Sequence, residues 1–195
     1  KTEDEIKIMR EGGKILATVL KEIEKMAKPG VTTLSLDRAA EALILKHGAR
    51  PAFKGYEGFP FSLCASINED VVHGYPSKRE LKEGDIVGLD LGVLWKGYNT
   101  DMAVTVAIGD VSFETKRLID AAKKSLRLGI KKARAGITVG DIGNTIQRFV
   151  EDQGYGVVRD LCGHGIGKEV HEDPQVPNYG DRHKGTVLKE GMVIC

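Results

Sequence analysis

The sequence contains little that would mark a disulfide-rich, membrane-bound or nucleic-acid-binding protein. It has three cysteines, none in a CxxC pair, which argues against a disulfide framework or a thiolate zinc site and favours a reducing cytosol. No stretch approaches the roughly 18 consecutive apolar residues that a membrane helix needs, and the first residues are too charged for a secretory signal. The net charge of +1 gives no electrostatic reason to bind nucleic acid or an anionic membrane.

The composition is that of a globular protein long enough to bury a core. Of the 195 residues, 41% are hydrophobic and 29% are charged. No low-complexity tract or long linker interrupts the chain. We therefore predict one domain that spans residues 1–195.

Four segments have the apolar spacing of helices. The first begins at a capping-box pattern, Thr2-Glu3-Asp4-Glu5, and ends at Lys28-Pro29-Gly30. The other three end at a glycine, which is a common helix stop signal. They are predicted over residues 35–47, 112–135 and 139–152.

Strands are predicted between the two pairs of helices. The first spans residues 62–67 and follows residues 51–60, a stretch rich in glycine, proline and aromatic residues that suits a surface loop. Residues 85–94 and 100–108 alternate in polarity, and the turn Lys96-Gly97 joins them as a hairpin. The order of two helices followed by strands occurs twice. This repetition indicates an α+β fold with two similar halves, residues 1–109 and 110–195. The second half is the shorter.

The predicted hairpin brings two aspartates to the same face of the sheet. With Lys96-Gly97 as a two-residue turn, Gly92 faces Asp101 and Asp90 faces Ala103. The aspartates are then diagonal neighbours, with Cβ atoms roughly 7–8 Å apart or less. Their face carries glycine and alanine, so we expect cleared space above the carboxylates.

Two carboxylates aimed at one space repel each other, so they share a proton or hold cations. The alternative is that both are solvent-facing residues of a half-exposed sheet. The glycines count against that alternative, because an exposed strand face favours threonine, lysine or glutamate. Carboxylate oxygens together with a histidine nitrogen would suit a divalent first-row metal ion.

Three of the five histidines carry little information when taken alone. His47 lies near a helix end and His183 in a charged loop, and both are interpreted as solvated polar residues. His73 has apolar neighbours and a following glycine, which predicts a partly buried loop. Alone, it is more typical of a structural histidine than of a site residue.

The other two histidines lie in a glycine-rich segment. His164 is flanked by Gly163 and Gly165, and glycines permit unusual dihedral angles and the close approach of a ligand. The GxGxxG-like spacing is not a dinucleotide fingerprint, because no βαβ unit surrounds it. His171 follows seven residues later. Each alone is equally consistent with a structural role.

Taken together, five segments resemble those of the type I methionine aminopeptidases, and the resemblance covers essentially the whole chain. The resemblance implies the pita-bread α/β fold, with two pseudo-symmetric halves around a dinuclear metal site. The matching segments are residues 51–64, Ser66-Ile-Asn-Glu-Asp-Val-Val-His-Gly74, the strand that ends at Asp90, Asn99-Thr-Asp101-Met-Ala103, and Gly163-His-Gly-Ile-Gly167 with His171-Glu-Asp-Pro174.

The resemblance also implies residue roles. Asp90 corresponds to a ligand of one metal ion, Asp101 to the ligand that bridges both ions, and His164 to the histidine ligand of the second. His73 and His171 correspond to histidines that contact the scissile amide and the tetrahedral intermediate.

A pocket for methionine is implied at four further positions. Tyr56, Phe59, Cys64 and Val170 fall where the family lines that pocket. Such an apolar wall suits a thioether side chain. Phe59, where many relatives carry tyrosine, and Val170, where some carry phenylalanine, are small departures from the family pattern.

The implied reaction is metal-assisted removal of the initiator methionine from nascent peptides. Two divalent ions, each Co, Mn, Fe or Zn, would activate a bridging water and anchor the free amine. By the same resemblance we expect a cytoplasmic monomer that contacts the ribosome, with no direct binding of nucleic acid or membrane.

One departure concerns the carboxyl terminus. The family uses two further glutamate ligands, the first in a strand whose start residues 191–195 match. We therefore expect a domain incomplete at its carboxyl end, and weak or no activity of the 195-residue chain. Two alternatives stay open: a proline-directed aminopeptidase relative, and a non-catalytic binding module on the same fold.

Overall fold

A computed structural model describes residues 1–195, which form helices and strands in two compact units. The amino-terminal unit comprises residues 3–113 and 167–170, and the carboxyl-terminal unit comprises residues 1–2, 114–166 and 171–195. No helix is both long enough and apolar enough to span a membrane. The elements are α1 (Glu3–Met26), α2 (Thr33–Lys46), β1 (Arg50–Pro51), β2 (Leu63–Ile67), β3 (Ile86–Trp95), β4 (Tyr98–Ala107), α3 (Phe113–Lys132), α4 (Val139–Asp152), β5 (Cys162–Gly165) and β6 (Glu172–Pro177).

The amino-terminal unit is an antiparallel sheet covered by two helices. β3 is its central strand, with β4 on one edge and both β1 and β2 on the other. The amphipathic helix α1 packs on β3 and β4, and α2 packs on β1, β2 and α1. The buried core lies between helices and sheet, because the apolar stripes of α1 and α2 meet the apolar face of β3 there.

The β3–β4 hairpin has the predicted register. Gly92 pairs with Asp101 and Asp90 pairs with Ala103. Lys96 and Gly97 both have positive φ, 48° and 83°, as a tight two-residue hairpin turn of the primed type requires. Four alternating β3 side chains are fully buried, which opposes a slip of one residue: Val87, Leu89, Leu91 and Val93.

The carboxyl-terminal unit contains α3, α4 and the two-stranded sheet β5–β6. The predicted helix 139–152 is confirmed, and Thr138 and Asp141 form a capping box at its start. α4 packs close to the chain that follows β6, because a Cβ at Gly140 or Gly143 would lie 2.3 Å from a backbone carbonyl oxygen. An apolar cluster that includes Val139 stabilises this packing.

Several predicted boundaries differ from the structure by a few residues; α3, for example, ends at Lys132 rather than near residue 135. α2 begins at Thr33 rather than at Ser35, because the Thr32 side chain accepts a hydrogen bond from the Ser35 N–H and so caps the helix earlier. Residues 51–60 are not simply a surface loop. The Phe53 side chain is only 9% exposed, because it packs over Gly92.

The buried face of β3 should dominate the stability of the amino-terminal unit. Leu89 is fully buried. We expect Leu89→Ala to lower the free energy of unfolding, measured by urea denaturation, by about 2–5 kcal/mol, because it leaves a cavity in the core. Met102→Ala, at a 42% exposed position on β4, is the control and should change it by about 0.5 kcal/mol or less. Equal losses in the two variants would contradict this assignment of the core.

Candidate metal centre

The two aspartates of the hairpin form a strained electrostatic pair. Asp90 and Asp101 are partly buried diagonal neighbours on one sheet face. The Oδ1 atom of Asp90 is buried and has no hydrogen-bond partner. Burial, then the negative charge of Asp101 and a hydrogen bond between the two carboxyl groups, raise the pKa of Asp90 to about 8. A buried carboxylate oxygen that no donor satisfies is suited to binding a cation, so these residues fit a metal ion.

A cavity adjoins Asp90 on its sheet face. A cavity of about 180 Å³ lies on the Gly88 and Ala103 side and has Asp90 and His73 in its wall. The expected space is therefore found at Gly88 and Ala103, whereas the space at Gly92 is filled. A Cβ at Gly92 would lie 2.5 Å from Cε1 of Phe53, so this glycine admits the phenylalanine ring instead of leaving an opening.

His73 lies in an exposed loop, so the prediction of a partly buried loop was wrong. Its neighbours Val71 and Val72 are 65% and 44% exposed, and they line the same cavity. His73 has φ of 57°, an uncommon conformation for a residue other than glycine. The next residue is held firmly, because the Gly74 N–H donates to Ser66 Oγ at 3.0 Å and the Gly74 carbonyl accepts from Ala65 N–H at 2.8 Å.

His164 and His171 lie together in the carboxyl-terminal unit. Their ring centroids are 4.3 Å apart, in an edge-to-face arrangement. His164 Nδ1 lies 2.8 Å from the Gly165 carbonyl oxygen, so a proton on Nδ1 would be donated there and leave Nε2 as the coordinating atom. The Cys195 thiol lies 3.5 Å from that Nε2.

The glycines around His164 have a different purpose from the one expected. Neither Gly163 nor Gly165 has a positive φ. A Cβ at Gly163 would lie 2.3 Å from the Cys195 carbonyl oxygen, and one at Gly165 would lie 2.2 Å from that of Asp173. Both glycines therefore permit close packing of neighbouring backbone, which holds the short strand β5 in place.

The four predicted pocket residues form one apolar cluster in the amino-terminal unit. Cys64 and Val170 are buried in it, and Tyr56 and Phe59 pack against them. Burial, together with the charges of Asp90 and two other aspartates, raises the pKa of the Cys64 thiol to about 12, so it stays a neutral, apolar group.

The two histidines interpreted as solvated residues are exposed. His47 ends α2, and the His183 side chain is 87% exposed, with Nδ1 3.8 Å from the Asp141 carboxylate. No two of the three cysteines form a disulfide.

Two residues of this region were not identified from the sequence. Phe53 belongs to the apolar cluster, and Asn99 lies buried two positions before Asp101 on the same strand face. The alternation of β4 could have placed Asn99 beside the aspartates. Its partners, Gly167 and Lys168, lie too far along the chain for any local pattern to indicate them.

The raised pKa of Asp90 predicts how stability depends on pH in the metal-free protein. The folded carboxyl group binds its proton more tightly than the unfolded one, so stability is lost as the pH rises from about 4 to about 8. We expect Asp90→Asn to be more stable than the wild type at pH 8 in the presence of a chelator, with a difference that shrinks towards pH 4. Urea denaturation across this range measures it.

The control for this experiment is Asp160→Asn, at an exposed position. It should follow the wild type at every pH. A wild-type protein that gains stability relative to Asp90→Asn as the pH rises would contradict the assignment.

Comparisons with known proteins identify the family of this chain. Residues 7–195 match the family model of metallopeptidase family M24. A methionine aminopeptidase of Clostridium acetobutylicum is 54% identical over 196 residues, which cover 100% of this chain and 78% of that protein. Methionine aminopeptidase 1 of Bacillus subtilis is 46% identical, with 100% and 79% coverage.

Solved structures show the same fold. A methionine aminopeptidase from Thermotoga maritima superposes with a TM-score of 0.98 at 42% identity and covers 100% of this chain and 78% of that one. A prolidase from Pyrococcus horikoshii superposes with a TM-score of 0.87 at 29% identity, over 54% of its length. The predicted pita-bread fold is confirmed by these matches. A metallopeptidase requires a divalent metal ion, and the chain belongs to metallopeptidase family M24.

Proposed function

We propose that this protein is a methionine aminopeptidase that removes the amino-terminal methionine of peptides with two divalent metal ions. Relatives with that name are 42–54% identical over the whole chain. The observation within the molecule that carries the proposal is the pair Asp90 and Asp101, because it combines an unsatisfied buried carboxylate oxygen with a second carboxylate on the same face.

The ligands proposed for the metal ions are Asp90, Asp101 and His164. Carboxylate oxygens and an imidazole nitrogen together suit Mn, Fe, Co or Zn, and the cellular supply decides among these ions. When bound, the ions polarise the amide carbonyl and lower the pKa of a coordinated water. The aspartates lose their mutual repulsion on binding a cation, so the same arrangement that raises the pKa of Asp90 favours metal uptake.

Two histidines are proposed to contact the substrate. His73 stands at a cavity that Asp90 also lines, and its backbone is held by the contacts of Gly74 with Ser66 and Ala65. We assign to it a hydrogen bond with the scissile amide. His171 packs edge-on against the proposed ligand His164, and we assign to it a hydrogen bond that stabilises negative charge developing on the carbonyl oxygen.

The apolar cluster is proposed to select methionine. Phe53, Cys64 and Val170 are buried, and Tyr56 and Phe59 complete an apolar, aromatic wall. Such a wall offers dispersion and sulfur–aromatic contacts to an unbranched thioether and no partner for a charged side chain. A charged first residue would therefore lose its hydration without replacement.

The activity can be tested with a Met-Gly-X peptide. We expect the encoded protein that contains residues 1–195 to release methionine when a divalent metal ion is added. Asp101→Ala should lose this activity together with most of the bound metal, measured by elemental analysis, because a ligand is removed. Asp120→Ala, at an exposed position on α3, is the matched control and should retain both.

Absence of turnover in the wild type with every divalent ion would refute the proposed function. Full activity of Asp101→Ala would refute the ligand assignment alone. The weak activity expected for the 195-residue chain by itself stays a prediction, as do the monomeric state, the cytoplasmic location and the contact with the ribosome.

The role of His171 has its own test. We expect His171→Ala to lower kcat by about 10²- to 10⁴-fold, the range for loss of a positioned proton-donating group. The bound metal should be unchanged, because His171 is not a proposed ligand. His183→Ala, a substitution of an exposed histidine, is the control. A variant that loses its metal but keeps kcat when the metal is restored would assign His171 to metal binding instead.

A proline-directed activity is the second candidate. It is favoured by the superposition with the prolidase from Pyrococcus horikoshii, although the identity of 29% is well below that of the methionine aminopeptidases. A panel of peptides with proline or glycine in second position separates the two. Faster cleavage of X-Pro peptides with first residues other than methionine would support this second candidate.

A further inference from the structure

A four-residue segment of the chain, Gly167–Val170, is hydrogen-bonded to one residue of β4 through both its side chain and its backbone. Asn99 is 5% exposed, and its Nδ2 donates to the carbonyl oxygens of Lys168 at 2.9 Å and Gly167 at 3.2 Å. Its backbone N–H also donates to the Gly167 carbonyl at 2.7 Å. The segment Gly167–Val170 lies in no helix or strand, and these three bonds join its first two residues to β4.

The held segment ends at a residue of the apolar cluster. Val170 is 5% exposed and packs with Phe53 and Cys64, while the intervening Lys168 and Glu169 are exposed. Val170 is therefore preceded by two residues that make no apolar packing contact with the cluster.

Asn99 contributes nothing else that accounts for its burial. It cannot bind a metal ion through Nδ2, which is occupied as a donor to two carbonyls. A buried polar side chain costs free energy unless its bonds are made, and here both are made to a segment distant in sequence.

We propose that Asn99 is a positioning residue that holds Val170 in the wall of the side-chain pocket and so sets the selectivity for the first residue of the substrate. The assignment of the cluster as that pocket rests on the proposed function. The positioning of the segment by the hydrogen bonds of Asn99 does not rest on the proposed function, and it can be tested without measuring activity.

The first test measures the accessibility of Cys64. This thiol is 4% exposed and packs with Val170, whereas Cys162 is exposed and acts as an internal reference. The protein is treated with N-ethylmaleimide, and each cysteine is followed by peptide mass spectrometry. We expect Asn99→Ala to raise the labelling rate of Cys64 relative to Cys162 by about tenfold, because loss of two hydrogen bonds increases the population of the open segment.

Two variants separate this effect from general destabilisation and from packing. Asn68→Ala removes an amide whose Nδ2 donates to Asp85 at 2.8 Å and whose Oδ1 accepts from Ile86 N–H at 2.9 Å, without touching the segment. It should change the relative rate by no more than about twofold. Asn99→Asp keeps the volume but replaces the donor with an acceptor, and it should expose Cys64 at least as much as Asn99→Ala.

The proposal that Asn99 positions the segment is overturned if the relative labelling rate of Cys64 rises equally in Asn68→Ala and Asn99→Ala. It is also overturned if that rate does not rise in Asn99→Ala. Wild-type labelling in Asn99→Asp overturns the role of the amide donors.

The second test is kinetic and uses the same protein as the test of methionine release. We expect Asn99→Ala to raise KM for a Met-Gly-X peptide by about tenfold while kcat stays within about threefold, because pocket contacts present in both ground and transition states are weakened. The preference for methionine over leucine should fall. If Asn99→Ala exposes Cys64 but leaves KM and the preference for methionine over leucine unchanged, the role of Asn99 in selectivity is overturned. Absence of activity in the wild type refutes the proposed function and leaves the labelling result to decide the hold on the segment.

Discussion

Two carboxylates meet in a partly buried sheet face, and most features of the candidate site follow from that conflict. Asp90 and Asp101 are there because the β3–β4 register pairs each with a small residue, Ala103 and Gly92. The register is held by the opposite face of β3, which lies wholly in the core. A slip of β3 by one residue would exchange its two faces and bury the Asp90 charge under α1. The apolar core thus enforces an arrangement that the aspartates alone would oppose.

The unfavourable burial and repulsion of these charges raise the pKa of Asp90 to about 8, with burial as the larger cause and the charge of Asp101 as the next. An isolated protein would normally satisfy such a group with a hydrogen-bond donor, yet one oxygen has no partner. A divalent cation removes both costs together, since it neutralises the repulsion and coordinates the unsatisfied oxygen. Membership of a metallopeptidase family and the local electrostatics therefore agree from independent observations.

In each unit, glycine acts mainly by permitting close approach. Gly92 admits the Phe53 ring, while Gly163 and Gly165 admit backbone carbonyls. Asn99 complements them, because it secures a segment without regular structure by donating to its carbonyls. The proposed ligands and the apolar cluster consequently rest on rigid strands and on a hydrogen-bonded loop.

The sequence by itself determined the helices, the register of the hairpin, the side of β3 that is buried and therefore the face that carries Asp90 and Asp101. These follow from local periodicity, turn chemistry and motifs, which depend on neighbours in the chain. Tertiary structure alone decided that Phe53 fills the space at Gly92, that the loop of His73 is exposed and that Asn99 holds Gly167–Val170. Each of these depends on partners that lie 39 to 69 positions away or on the solvent around a loop, and no local pattern encodes which distant group arrives.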